Sequence, residues 1–398
     1  MRPEAPLGLD AIDDPRAGRA PVEGGPAPGE RLGILHVLNH THRLNGNVHA
    51  AVDLACAQAR LGHRVTLCSG GGDFDALLAA NGVAVARVSQ ARRPAALLRA
   101  LPALARLCRE RRIDVVHAHM MTSALLAWPV CRVRGIPLVT TVHNEFQKSA
   151  IVMALGHRVI AVSAAVGRSM GRRGIPASRL RVVLNGTIGA ARFADARGRR
   201  ESLGAPAILF VGGLHPRKGV ADLLDAFETV HAAHPSARLC LVGEGPYLDA
   251  YRARAATMAC AEAVRFVGAV ADPRPYLDGA DIFVLPSRAD PAPLVLSEAR
   301  EAGCAVVASD VDGVPELLEG GSAGLLVPPR DPRRLADAIL SLVEDPANLR
   351  RWRTNSQVNI EHLTIARVAR DTVAVYAECL APASHGTRTT LAPQGIRP

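Results

Sequence analysis

The stretch DIFVLPSRADPAPLVLSEAREAGCAVVASDVDGVPE, from Asp281 to Glu316, decides the fold. It opens with an apolar run, Ile282 to Leu285, short enough for a buried strand and closed by Pro286. A proline-rich loop, Ser287 to Pro293, leads into a helical run from Leu294 to about Ala302, stopped by Gly303. A second apolar run, Ala305 to Ala308, is a further buried strand, and Gly313 and Pro315 open another helix. Strand, loop, helix, strand is the pattern of a parallel sheet, and such sheets bind ligands beyond the C-terminal ends of their strands. Asp290 in the loop and Glu298 in the helix stand at those ends with seven residues between them. Each can be a helix cap, or an acceptor for the hydroxyls of a sugar or ribose.

Working outward, 398 residues suffice for two domains with separate cores. At 48% hydrophobic and 21% charged residues the chain is globular, and no apolar run reaches the ~18 residues of a membrane span. Residues 1–30 lack the apolar core of a signal peptide and, like 381–398, are expected to be disordered tails. Eight scattered cysteines without a C-x-x-C pair fit a reduced, cytoplasmic protein rather than a disulfide or metal framework. A net charge of +10 suits an anionic partner such as a nucleotide diphosphate or an acidic membrane surface. With 3% aromatics and no basic–aromatic interleaving, nucleic acid is not expected. Lysine occurs only at Lys148 and Lys218, so a retained lysine suggests a need for a compact point charge.

In the first half, Leu32–Leu38 is a strand followed by HTHRLNGN and a helix from Val48 to Arg60. Gly46, with Asn45, can bring backbone N–H groups toward a phosphate or sugar, although a plain turn explains it as well. Further strands are expected at Arg64–Cys68, Val83–Val88, Val115–Ala118, Leu138–Val142, Arg158–Val162 and Arg181–Leu184, an alternation that implies a doubly wound sheet. Asp73 and Asp75 form a D-x-D, as do Asp310 and Asp312; turn and cap positions account for both pairs, with Asp73 read as an N-cap. His117, His119 and His143 fall at strand ends, the ligand edge of the sheet. The leucine- and arginine-rich segment 92–112 reads as a helix packed on a sheet, with an interfacial membrane helix as the other reading. Pro94 and Pro102 argue there against one long helix.

Asn185-Gly186-Thr187 closes the first half, and the polar stretch 190–204 reads as a linker. The second half starts with a strand at Ala207–Val211, then GGLHPRKG and a helix from Val220. Lys218 stands before that helix, where a cation opposes the dipole unless an anion is bound.

These motifs, in this order, resemble the retaining glycosyltransferases of family 4. The carboxylates Asp290 and Glu298, then GCAVVAS, then Gly313-Val314-Pro315-Glu316, are similar to that family's paired glutamates, G-x-P-V-V-A strand and G-x-P-E turn. VGGLHPRKG is similar to its G-R-L…K-G loop. The resemblance covers about residues 32–380 and departs from the family pattern at Gly213, where an arginine is usual, at Asp290 for the first glutamate, and at Pro291. It implies a GT-B architecture: α/β, two Rossmann-like domains facing across a cleft. The acceptor-side domain would span 31–188, with 361–380 crossing back to it, and the nucleotide-sugar domain 205–360.

The resemblance further implies sugar transfer from a nucleotide-diphosphate donor to a glycan or lipid-linked acceptor, with retention, no metal and no cofactor beyond the donor as co-substrate. His143, Lys218 and Asp290 would be catalytic, with His119 structural. Gly46, Gly213, Arg217, Lys218, Asp290, Leu294, Val295 and Glu298 would bind donor, with Arg217 able to replace the charge missing at Gly213 and Glu298 on the ribose. Peripheral contact with the inner membrane face through the basic first half is compatible with a lipid-linked acceptor. The alternatives are a nucleotide-sugar epimerase of the same architecture and a catalytically weak nucleotide-sugar-binding protein.

Overall fold

A computed structural model describes residues 31–43, 45–90, 94–193 and 200–381, with only the backbone of 94–97. The expected tails at 1–30 and 381–398, apart from Ala381, and part of the expected linker lie outside the described residues. Two parallel sheets form. The first contains β1 (Gly33–Val37), β2 (Arg64–Ser69), β3 (Ala84–Arg87), β4 (Val115–Ala118), β5 (Leu138–Val142), β6 (Arg158–Ala161) and β7 (Leu180–Val182), in spatial order 3-2-1-4-5-6-7. The second contains β8 (Ala207–Val211), β9 (Arg238–Val242), β10 (Val264–Gly268), β11 (Ile282–Leu285), β12 (Ala305–Ser309) and β13 (Leu325–Val327), in order 10-9-8-11-12-13. Strands β1, β4, β5, β11 and β12 are buried along their whole length, as apolar runs such as Ile282-Phe-Val-Leu285 require when helices cover both faces. In both sheets the strand order reverses beside the first strand, and the cleft between the domains lies at these reversals.

Four helices position the site: α1 (Gly46–Arg60), α2 (Ala164–Arg172), α3 (Leu294–Glu301) and α4 (Ile365–Leu380). The last of these packs on α1, and its Tyr376 hydroxyl reaches His117 while Glu378 pairs with Arg158 and Arg181 of the first sheet.

Three local expectations are corrected. Residues Pro94–Glu110 form one helix despite its prolines. Pro94 is its first residue, where a missing N–H costs nothing, and Pro102 is exposed, as is Leu98, whose freed carbonyl can meet water. Leu104 and Cys108 of this helix enter the core, which fits packing on the sheet. Asp73 is not a helix cap: its carboxylate accepts the Arg43 N–H at 2.9 Å, while Asp75 pairs with Arg87. Asp312 does not cap either; its carboxylate accepts the Asp290 N–H at 2.7 Å.

Arg300 of α3 is fully buried and ties distant segments together. Its guanidinium donates to the carbonyls of Leu317, Ser356 and Val358 at 2.6–2.7 Å and pairs with Glu319 at 2.7 Å. Arg300→Met should destabilise the protein by about 3–5 kcal/mol, because it strands a carboxylate and buried carbonyls. Urea unfolding measures this directly; a loss below 1 kcal/mol would show that water replaces the guanidinium.

Candidate active site

The cleft holds a cavity of about 520 Å³, and every candidate residue from the sequence lines it: Gly46, His143, Gly213, Arg217, Lys218, Asp290, Leu294, Val295 and Glu298. From the first domain, the loop after β1 delivers Asn45, the start of α1 delivers Gly46, and the end of β5 delivers His143. A Cβ added at Gly46 would meet no atom within 4 Å, so the protein around it does not demand a glycine. From the second domain, the loop after β8 brings Gly213, Arg217 and Lys218, and the loop after β11 brings Asp290.

Lys218 finds its anion inside the protein. Its Nζ lies 2.5 Å from Asp290 Oδ2, both side chains are largely buried, and Ser287 Oγ donates to the same oxygen at 2.9 Å. Asp290 is therefore an orienting partner of the ammonium and not a helix cap; Pro293 precedes α3 with no side-chain cap. An ammonium has three N–H donors, so pairing with Asp290 leaves two for another ligand. Arg217 joins from the adjacent position: Nη1 donates to the Ala289 carbonyl at 2.9 Å, and the guanidinium stacks 4.7 Å above Phe146 of the first domain. At Gly213 a Cβ would come within 3.3 Å of the His215 ring, so a larger residue there needs that ring to shift.

Glu298 is the fifth residue of α3 and faces into the cavity. Burial pushes its carboxyl up to about 7, against the pull of Arg192 and with Asp53 and Asp272 adding to the upward shift. Arg192 lines the same cavity and is the functional candidate that sequence reading passed over. It stands in the short turn Ala191–Phe193, its contacts lie far away in sequence, and no local pattern marks it.

His143 sits at the end of a buried hydrogen-bonded chain. His119 shares bonds with His143 (3.2 Å) and His36 (2.8 Å), and His36 with Gln58 Oε1 (2.8 Å). Gln58 Nε2 donates to the Tyr376 hydroxyl, which leaves its Oε1 as the acceptor. Each imidazole must then donate toward Gln58 and accept from the next ring, so His143 carries its proton on Nε2 and a lone pair on Nδ1. Burial lowers His143 to about 4, so the ring is neutral at physiological pH. His36, His117 and His119 bring ring nitrogens within 4.8 Å of one another, as a metal site would. Yet His117 bonds Tyr376 and Thr141, so all six of these nitrogens already have hydrogen-bond partners.

The loop between β11 and α3 is held by both domains. Ser163 Oγ donates to the Pro291 carbonyl at 2.7 Å and Asn185 Nδ2 to the Ala292 carbonyl at 3.0 Å. Gly313 packs so closely that a Cβ would fall 1.9 Å from the Pro291 oxygen. Glu316 accepts the Ala164 and Ala165 N–H groups at 2.8 and 3.0 Å, a carboxylate of one domain on the N-terminus of α2 in the other.

The Glycosyltransferase Family 4 profile matches residues 44–187 and the Glycosyl transferases group 1 profile matches 205–345. Glycogen synthase of Mycobacterium tuberculosis is 34% identical over 278 residues, covering 64% of this chain and 67% of the relative. Alpha-maltose-1-phosphate synthase of Mycolicibacterium smegmatis is 31% identical over 306 residues, covering 66% and 78%. The chain belongs to the family 4 glycosyltransferases. Its fold is GT-B: Anabaena HepE, crystallised with UDP-glucose, superposes with a TM-score of 0.73 at 20% identity, covering 87% of this chain and 99% of HepE. The glycosyltransferase has, among its described residues, no helix long and apolar enough to cross a membrane.

The carboxyl of Glu298 binds protons more tightly in the folded state than unfolded, so its contribution to stability falls as pH rises from 4.5 to about 7. Glu298→Gln lacks that group and should gain about 3 kcal/mol relative to wild type between pH 4.5 and 8. Urea melts at both pH values check it, and a pH-independent difference would refute it.

Proposed function

We propose that this glycosyltransferase moves a sugar from a nucleotide-diphosphate donor to a glycan or lipid-linked acceptor, with retention of configuration and without a divalent metal ion. The observation that carries this reading is the convergence of Lys218 and Arg217 on the Asp290 loop, with Glu298 in the same cavity. As the sugar–phosphate bond breaks, negative charge grows on the diphosphate. Lys218 supplies its two remaining N–H donors, Arg217 a second cation, and the N-terminus of the helix Val220–Ala233 its backbone amides. In the two D-x-D pairs, Asp73 accepts the Arg43 N–H, Asp75 pairs with Arg87, and Asp312 accepts the Asp290 N–H.

Glu298 accepts the ribose hydroxyls, and the neutral His143 offers Nδ1 to a hydroxyl of the sugar across the cleft. The acceptor hydroxyl attacks from the face the diphosphate leaves: the new C–O bond forms as the old one breaks, and the departing phosphate oxygen takes the acceptor proton. Names among the relatives span both acceptor classes, with glycogen synthase for a glycan and phosphatidyl-myo-inositol mannosyltransferase for a lipid.

A charge-assisted hydrogen bond is worth ~1.5–3 kcal/mol, so losing one in the transition state slows turnover about ten- to a hundredfold. Lys218→Ala should lose that much kcat while remaining folded by circular dichroism; near-wild-type kinetics would sink the assignment. Activity should persist in EDTA, with the donor's anomeric configuration retained in the product by NMR. Conversion of donor in the absence of any acceptor would instead indicate an epimerase.

A further inference from the structure

Arg192 connects the two domains at the nucleotide end of the cleft. Its side chain is 7% exposed. Nε and Nη2 donate to the two oxygens of Asp53 at 2.8 and 2.9 Å, and Asp53 is a buried residue of α1 in the first domain. The Thr187 hydroxyl donates to the same carboxylate at 2.7 Å. The guanidinium also lies 4.4 Å over the Phe193 ring, which a second guanidinium, Arg274, approaches at 4.5 Å. So fixed, Arg192 Nη2 stands 3.7 Å from Glu298 Oε1 in the second domain.

A bidentate pair with a buried carboxylate is a strong restraint on a guanidinium. Asp53 alone would place an uncompensated charge in the interior; with Arg192 the pair is neutral, and the cation is still close enough to act on Glu298. The other charges that bear on Glu298 are Asp53 and Asp272, both negative, and Asp272 is itself bound by Arg274. His49, which faces Arg192, stays neutral because burial and the neighbouring arginines lower it to about 3. Arg192 is therefore the group that favours the charged form of Glu298, and a carboxylate accepts hydroxyl hydrogen bonds more strongly than a neutral carboxyl.

We propose that Arg192 is a positioning residue for the nucleoside end of the donor: gripped by Asp53 of the first domain, it sets its charge against Glu298 of the second and makes the interdomain connection part of the nucleotide site. This rests on the reading that Glu298 meets the ribose.

The test is the affinity of ADP and UDP by calorimetry between pH 6.5 and 8.5 for wild type, Arg192→Gln, Arg192→Lys, Glu298→Gln and the double variant Asp53→Asn/Arg192→Gln. The double variant replaces the buried ion pair by two amides, so the comparison survives if Arg192→Gln alone unfolds. Protonation of the nucleotide is common to all proteins and cancels in each ratio to wild type. Arg192→Gln should bind about tenfold more weakly at pH 6.5 and recover toward wild type by pH 8.5, and the double variant, which also loses the opposing Asp53 charge, should show the same trend with a smaller deficit. Arg192→Lys, which keeps the charge, should stay nearer wild type throughout. No deficit, or one constant across this range, overturns the role of Arg192 whenever Glu298→Gln is itself impaired. If Glu298→Gln binds like wild type, the ribose reading fails and this inference falls with it.

Discussion

The geometry of the site depends on the backbone of the loop from Ser287 to Pro293. A loop following a strand of a parallel sheet has no neighbouring strand to bond with, so its polar groups must find partners elsewhere. Here the Asp290 N–H goes to Asp312 of its own domain, while the Pro291 and Ala292 carbonyls go to Ser163 and Asn185 of the other. Proline at 291 fits this arrangement, since what the neighbouring domain uses is its carbonyl and not the N–H it lacks. Gly313 is required by the same packing, and the Glu316 cap on α2 lies one turn further on. The loop that carries Asp290 is thus built by both domains at once.

Charge in the cleft is arranged in pairs. Lys218 rests on Asp290 and Arg192 on Asp53, with Arg217 held by a carbonyl and an aromatic face. Under the proposed function, cations held this way need little reorganisation to meet a diphosphate, and preorganised charge in a partly desolvated cleft does more than the same charge in water. Glu298 differs: it is buried, approached only at 3.7 Å by its cation, and titrates near neutrality. It is the carboxylate whose state responds most readily to what surrounds it.

The histidine chain performs a different task. Three rings run from the interior to the cleft, each neutral because burial disfavours the imidazolium. A neutral ring has one donor and one acceptor, so a glutamine at the inner end dictates the tautomer of the ring at the outer end. Gln58 is held in turn by Tyr376 of α4, near the end of the described chain. The orientation of His143 in the cleft thereby depends on a helix that completes the first domain's packing.

What the sequence determined by itself was local. Apolar runs closed by glycine or proline marked strands such as Ile282–Leu285 and Ala207–Val211, because a strand buried on both faces must be apolar throughout. The edge strand β13 carries the same mark in only three residues, Leu325–Val327 between Gly324 and Pro328. The positions of Lys218, Asp290 and Glu298 at strand ends followed from the same alternation, since parallel sheets gather those ends at one edge. The tertiary structure decided the partners. Nothing near Lys218 in the chain indicated that its anion would be Asp290, and nothing near Arg192 indicated that it would join Asp53 to Glu298. Asp73 looked like a cap until the fold brought the Arg43 N–H to it, and Pro102 looked like a break until its face of the helix proved to be solvent. Propensity acts over a few residues, whereas ion pairs and hydrogen bonds between elements depend on which strand ends the topology places side by side.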